Sequence, residues 1–308
     1  MKNISNLPQF PLYIPTKGRY EYMITSKALT VMGINHSLIV EPQEIKLYQK
    51  SINEFNINAK IIELDMTYKE KYELCDNLGL TKSTGSGPAR NFAWDDSIKK
   101  GHSYHWIMDD NIRNFIRINN NKKRYCKNPA FFKIMEDFIL RYNNLYMVGP
   151  NYDFFVPQRS KRNALTLNTK IYSCNLIKND IPFRWRGRYN EDVILTLDIL
   201  KSGNCTVLFN ALLQQKMVTQ FLKGGNTDEL YKGNEKKIGE KYSKNGTIDK
   251  SQMLANIHPD IAKVVYKFHR IHHSVNYTKF KKNKLKRKIN YTLENKINNY
   301  NMELVKKE

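Results

Sequence analysis

The feature that most narrows the fold of this chain is the alternation of strand-like and helix-like segments in its first third. Leu12-Tyr13-Ile14-Pro15 reads as a short buried strand, and the turn after it, Thr16-Lys17-Gly18-Arg19, carries two cations. Residues 25–32 have helical spacing and stop at Gly33, a residue suited to the left-handed position that ends a helix. His36-Ser37-Leu38-Ile39-Val40 is the second strand, closed by Glu41-Pro42; residues 45–55 read as a helix and 59–64 as a third strand. Thr84-Gly85-Ser86-Gly87-Pro88 then forms a flexible loop leading into a helix over 89–100. Strand–helix units with short connections predict an α/β fold with a mostly parallel central sheet.

The next strand ends in acid: His105-Trp106-Ile107-Met108-Asp109-Asp110-Asn111. Open α/β sheets bind ligands at the carboxyl ends of their strands, so these oxygens stand where a ligand would be met. Two adjacent carboxylates suit Mg²⁺ or Mn²⁺, which such sites share with substrate phosphates; they equally suit a capped strand end. A second cluster, Arg186-Gly187-Arg188-Tyr189-Asn190-Glu191-Asp192, precedes the apolar helix 193–200. Its carboxylates read either as a helix cap or as a general base facing an acceptor hydroxyl. Lys17, Arg19 and Arg90 follow turn-forming residues at strand ends or a helix start, where a diphosphate would meet cations and backbone N–H groups. His269-Arg270-Ile271-His272-His273 offers neutral imidazoles to a metal, or else belongs to a basic helix face. The glycines make neither a G-x-x-x-x-G-K-[ST] loop nor a G-x-G-x-x-G fingerprint, which argues against a nucleoside-triphosphate motor and a dinucleotide oxidoreductase.

Further along, 131–142 reads as an amphipathic helix, and 145–149, 169–176 and 205–210 as strands, with a cationic mobile loop at 157–167. After Gly224-Gly225-Asn226 the composition turns to Lys, Glu, Asn and Gly through about 246, read as a lid or linker. Residues 253–273 are helical in part, and the tail from Tyr277 is lysine-rich and helix-permissive. The expected division is therefore 1–225 for the main domain and 226–308 for a lid and a basic helical C-terminal extension packed on it. Cys75, Cys126, Cys174 and Cys205 are widely spaced, which excludes a zinc ribbon and gives no disulfide framework. No apolar stretch approaches the roughly 18 residues of a membrane span, and the N-terminus has no apolar signal core; a soluble cytoplasmic protein is expected.

Five segments taken in order carry a family resemblance. Tyr13-Ile14-Pro15-Thr16-Lys17-Gly18-Arg19, Val40-Glu41-Pro42-Gln43-Glu44, Gly87-Pro88-Ala89-Arg90-Asn91, Met108-Asp109-Asp110-Asn111-Ile112 and Trp185-Arg186-Gly187-Arg188-Tyr189-Asn190-Glu191-Asp192 together resemble the TET-associated glycosyltransferases of bacteriophages. Lys223-Gly224-Gly225-Asn226-Thr227 and His272-His273-Ser274-Val275-Asn276-Tyr277 extend the match. The resemblance implies a GT-A fold, a nucleotide-sugar donor (most often a UDP-sugar), a divalent cation, and an acceptor hydroxyl on a hydroxymethylated pyrimidine such as 5-hydroxymethylcytosine in double-stranded phage DNA. Carried over by position, Asp109 and Asp110 bind nucleotide and metal, Glu41 lies near the nucleobase or ribose, and Arg90 near the ribose-diphosphate, with Pro15, Thr16, Lys17 and Arg19 beside the donor. Asp192 is the expected base with Glu191 next to it, and one of His272 and His273 reaches the metal.

A formal net charge of +22, from 51 Lys and Arg against 29 Asp and Glu, predicts attraction to a polyanion. Arg184, Trp185, Arg186 and Arg188, with Phe183 and Tyr189, are the expected contacts to DNA and to an extruded base. The rival readings are a metal-dependent nuclease or nucleotidyltransferase, for which paired acids and a basic surface also suffice, and a noncatalytic DNA-binding protein.

Overall fold

A computed structural model of the chain describes residues 6–158, 162–217, 223–225, 236–238, 241–243, 247–267 and 269–289. The N-terminal half alternates as its pattern predicts: β1 (Leu12–Pro15), α1 (Ile24–Val31), β2 (His36–Val40), α2 (Ile45–Glu54), β3 (Ala59–Glu63), the short α3 (Thr67–Glu70), α4 (Gly87–Lys99) and β4 (Tyr104–Met108). Then follow β5 (Ile112–Asn119), β6 (Lys122–Tyr125), α5 (Ala130–Ile139), β7 (Leu145–Tyr152), β8 (Leu165–Leu167), β9 (Cys174–Lys178), α6 (Glu191–Lys201) and β10 (Cys205–Lys216). A short pair, β11 (Lys236–Ile238) and β12 (Lys241–Ser243), precedes α7 (Thr247–Ile257) and the hairpin of β13 (Ala262–Lys267) and β14 (Arg270–Val275).

The main sheet runs β3-β2-β1-β4-β9-β7-β10-β5-β6, with β8 added on β10. The pairs β1–β2, β2–β3, β1–β4 and β7–β10 are parallel, so these strands run one way, while β9, β5 and β8 run against them. The expected mixed α/β fold with a mostly parallel central sheet is thus observed. β2 and β4 are buried at every position, as strands covered on both faces must be. One face packs Leu12, Ile14, Leu38, Val40, Trp106 and Met108 against α1, α2 and α5; the other packs Tyr13, Ile39 and Ile107 against Trp94 of α4 and Leu195 and Ile199 of α6.

Several elements depart from the sequence reading. The strand expected at 169–176 starts at Cys174, because Ser173 takes a left-handed φ of 62°. The strand expected to end at Asn210 continues to Lys216, crossing a register shift that ends its pairing with β7 at one level and resumes it at another. The β5–β6 hairpin was not anticipated; Asn120 and Asn121, both at positive φ, make its turn. The expected loop 157–167 contains β8 at its end, and its residues 159–161 lie outside the described residues.

The C-terminal part also differs from the expected basic helical extension. Its helix is α7, and the histidine-rich run lies in the β13–β14 hairpin instead of on a helix face. The lysine-rich stretch up to 289 holds a single 3-10 turn at Tyr277–Phe280; the end of the tail and most of the expected lid lie outside the described residues. α7 and this stretch cover α6, with Leu254, Ile261 and Phe280 packing on Val193, Ile194 and Leu197. Buried asparagines fasten the stretch: Asn168 donates to the carbonyls of Phe280 and Asn283, and Asn283 to those of Leu200 and Asn204.

Candidate active site

The carboxyl ends of β1, β2 and β4 and the N-terminal ends of α4 and α6 converge on a cleft of about 390 Å³. β1 contributes Pro15, Thr16, Lys17 and Arg19 to its wall, and β2 contributes Glu41. Glu41 receives Lys69 at 2.5 Å, Lys17 at 3.2 Å and the Gln43 amide at 2.8 Å. Burial works against its charge, but these donors together hold its carboxyl below the ordinary value.

The end of β4 is held in place by Thr25 of α1. Its hydroxyl donates to the Asp109 carbonyl at 2.7 Å and accepts from the Ile112 N–H at 2.8 Å. The two acids then diverge. Asp110 accepts from Thr16 Oγ1 at 2.8 Å and pairs with Arg19, whose guanidinium also donates to the carbonyls of Lys223 and Gly224. Asp109 accepts from Arg90 Nη2 at 2.6 Å on one oxygen and from Lys216 Nζ at 2.5 Å on the other. Both acids are desolvated, yet their titration is pushed in opposite directions. Lys216 and Arg90 outweigh burial and hold Asp109 well below the ordinary range, whereas burial outweighs Arg19 and Thr16 and raises Asp110.

Arg90 is the hub of the cleft. It is only 2% exposed, and besides Asp109 it reaches Asp192 Oδ1 at 3.2 Å and Ser86 Oγ at 3.1 Å, with Glu191 at 3.8 Å. Its guanidinium lies 4.7 Å from the ring centroid of Trp185. Glu191 accepts from Ser86 at 3.0 Å. Asp192 lies in the first turn of α6, where the helix dipole favours an anion. Burial, with Glu191 and Asp109 nearby, overcomes that dipole and Arg90 and pushes its carboxyl up to about 7. A carboxylate so placed can take a proton near neutral pH.

β14 alternates its side chains, so His272 and His273 point to opposite faces of the hairpin. His273 lines the cleft and His272 is not among its lining residues. Burial, reinforced by Lys250 and Lys170, lowers His273 to about 3, which leaves a neutral imidazole at neutral pH. Among the described residues, no three His, Cys, Asp or Glu side chains converge as a ready-made metal site.

The residues expected to contact DNA are placed as follows. Trp185 is 1% exposed and forms the floor beneath Arg90, its backbone paired in both directions with the Asn91 amide. Arg188 is equally buried and spends its guanidinium on Asp76 and on the carbonyls of Gly79, Lys82 and Ser83. Arg186 is engaged by Asp198 and Glu73, and Tyr189 is buried. Arg184 alone of the four presents an exposed side chain, stacked over Trp94. The segment is cationic because it fastens the loop 73–83 to α6, a use that charge in a sequence does not distinguish from phosphate contact.

The sequence reading missed Lys216, Ser173, Ser86 and Tyr152, all of which line the cleft. Lys216 was hidden because the strand carrying it was expected to end at Asn210. A lysine closing the apolar run Ala211-Leu212-Leu213 past two glutamines was the available signal.

The family model described as TET-Associated Glycosyltransferase matches residues 10–225, which contain most of the residues lining the cleft, Lys250 and His273 excepted. The chain belongs to the TET-associated glycosyltransferase family. It is accordingly an enzyme, a glycosyltransferase of a family that acts on modified DNA. No curated protein sequence matches this transferase. Among solved structures, the inositol-1-phosphate CTP transferase from T. maritima is similar at a TM-score of 0.33 and 7% identity, over 68% of this chain and 90% of that one; so slight a likeness carries no weight. Among the described residues, no helix of the transferase is long and apolar enough to cross a membrane.

Proposed function

We propose that this transferase has a GT-A fold and moves a sugar from a nucleotide-sugar, a UDP-sugar in the first instance, to the hydroxymethyl oxygen of 5-hydroxymethylcytosine in double-stranded phage DNA. The observation that supports this best is the meeting of Asp109, Asp110, Arg90, Lys216 and Asp192 in one cleft at the carboxyl ends of β4 and its neighbours. In this reading Glu41 and Lys17 hold the nucleoside end, while Arg19, Arg90 and Lys216 face the diphosphate.

Asp110 and Asp109, with the neutral His273 lining the same cleft, would hold Mn²⁺ or Mg²⁺. Such ions are commonly bound by one or two carboxylates together with substrate phosphates, so the absence of a complete protein cage among the described residues fits this class. When bound, the cation neutralises the departing nucleoside diphosphate. Asp192 acts as base: it takes the proton of the acceptor hydroxyl as the oxygen bonds to the anomeric carbon and the bond from that carbon to the diphosphate oxygen breaks. Direct displacement of this kind inverts the sugar configuration. Glu191 and Arg90 position the Asp192 carboxyl.

The test is nucleoside mass spectrometry after the enzyme, Mn²⁺ and a panel of nucleotide-sugars are mixed with DNA containing 5-hydroxymethylcytosine. A hexose- or pentose-sized gain on that nucleoside, absent with Asp192→Asn, is the expected result. Strand cleavage or extension without a sugar donor would instead establish nuclease or nucleotidyltransferase chemistry and sink the proposal.

A further inference from the structure

A second cavity of about 280 Å³ adjoins the cleft, and Tyr152 and Tyr172 stand in both walls. Strand order puts it on a definite side of the acidic cluster. Lys17 and Glu41 follow β1 and β2, whereas Tyr152 and Gln214, in the wall of the second cavity, belong to β7 and β10 beyond β4 and β9. The second cavity thus lies on the β7–β10 side of the cleft, away from Glu41.

Its lining is suited to a nucleotide. Phe154 stacks on Tyr152 at 5.2 Å and 15°, and Tyr152 on Tyr172 at 5.8 Å and 12°, so three near-parallel rings run from the surface to the cleft. Phe154 is 63% and Phe155 44% exposed, a large apolar surface for two adjacent residues outside any core. Of the two, Phe155 lines the cavity, and an exposed aromatic face stacks bases of any sequence. Cations flank them: Lys170 lies 5.2 Å from the Tyr172 centroid, and both Lys170 and Arg162 line the cavity, within a chain of net charge +22. Gln214 adds a polar demand. Its amide nitrogen donates to the carbonyls of Pro150 and Tyr172, which fixes the orientation of the amide. Its buried Oε1 has no hydrogen-bond partner among the described residues.

We propose that this cavity is the acceptor subsite, receiving a cytosine-type base extruded from the duplex, with Phe155 against its face and Lys170 and Arg162 toward its phosphates. The proposal rests on the reading of the cleft as the donor site. It also replaces the segment around Trp185 as the place where DNA is engaged.

The experiment uses the full chain and a short fluorescein-labelled duplex with one 5-hydroxymethylcytosine beside a 2-aminopurine, whose emission rises when its neighbour leaves the stack. Wild type should raise that emission on binding. Phe155→Ala, a change at an exposed position, should abolish the rise and weaken binding about tenfold, the scale of one lost base–aromatic stack. Lys170→Ala should weaken binding with a shallower salt dependence. UDP affinity, measured by calorimetry, should be the same in all three proteins. No emission rise with wild type, or a rise and affinity unchanged in Phe155→Ala, would overturn the subsite. Weaker UDP-sugar binding with unaltered DNA binding in Phe155→Ala would assign the cavity to the donor sugar and overturn it too. If no nucleotide-sugar supports transfer but the emission rise persists and depends on Phe155, the donor chemistry fails and the base subsite stands.

Discussion

Arg90 Nη1 lies 3.2 Å from Asp192 Oδ1, while Nη2 of the same guanidinium lies 2.6 Å from Asp109 Oδ1. One buried cation thus couples the acid at the end of β4 to the acid at the start of α6, two positions far apart in sequence. Which acid stays ionised follows from the second cation: Lys216 joins Arg90 in an ion pair on Asp109, whereas Asp192 pairs with Arg90, feels Lys216 only weakly and has Glu191 as a neighbour.

Asp192→Asn should reduce sugar transfer by roughly 10²–10⁴-fold, the usual contribution of a positioned base. Binding of UDP, which Asp192 does not hold in this reading, should change little. Calorimetric UDP titration alongside nucleoside mass spectrometry separates the two.

The same substitution should stabilise the metal-free protein in a pH-dependent way. The folded carboxyl of Asp192 is raised, to about 7, above its ordinary value of 3.8, so the folded state binds more protons than the unfolded one between these values. Its contribution to stability is therefore fully present below about pH 4 and lost as pH rises toward 7. Melting temperatures of wild type and Asp192→Asn should be close at pH 4 and diverge by pH 8, with the variant higher. Equal melting points at pH 8 would refute the assignment.

Lys216→Met removes one of the two cations that hold Asp109 ionised. The buried carboxylate then lacks half its compensation, a class of change that costs about 3–5 kcal/mol when a buried pair is broken. Partial access of water to both side chains places the expected loss at the lower end, read as a shift in the urea midpoint.

Trp185→Ala should act through the fold. Its ring is buried under Arg90, so truncation should cost roughly 3–5 kcal/mol, the range for removing a large buried aromatic side chain. At a temperature where the variant remains folded, its affinity for unmodified duplex DNA should match wild type, whereas Arg184→Ala should weaken it slightly. Anisotropy titrations decide between the two.

Gly224→Ala should damage the loop closing over Arg19. Gly224 has φ +85°, and a Cβ there would stand 2.2 Å from the Gly18 carbonyl oxygen. The loop cannot keep both the Arg19 contacts and the added carbon, so UDP affinity should fall by about tenfold, equivalent to about 1.4 kcal/mol.

The sequence alone determined the βα order of the N-terminal half, the buried strands β2 and β4, and the placement of Asp109 and Asp110 at a carboxyl strand end. These depend on local periodicity and on where an apolar run stops, which neighbouring residues suffice to set. It also determined the family, because ordered motifs constrain one another far more than any single motif does. Tertiary structure decided what each charge is for. Arg90 and Lys216 reach the acids while Arg186 and Arg188 are spent on Asp198 and Asp76, though all four are equally cationic in sequence. It also decided which histidine faces the cleft, by putting the pair on a strand with period two instead of on a helix. Burial and the partner across space fix these outcomes, and both arise only when segments distant in the chain are packed together.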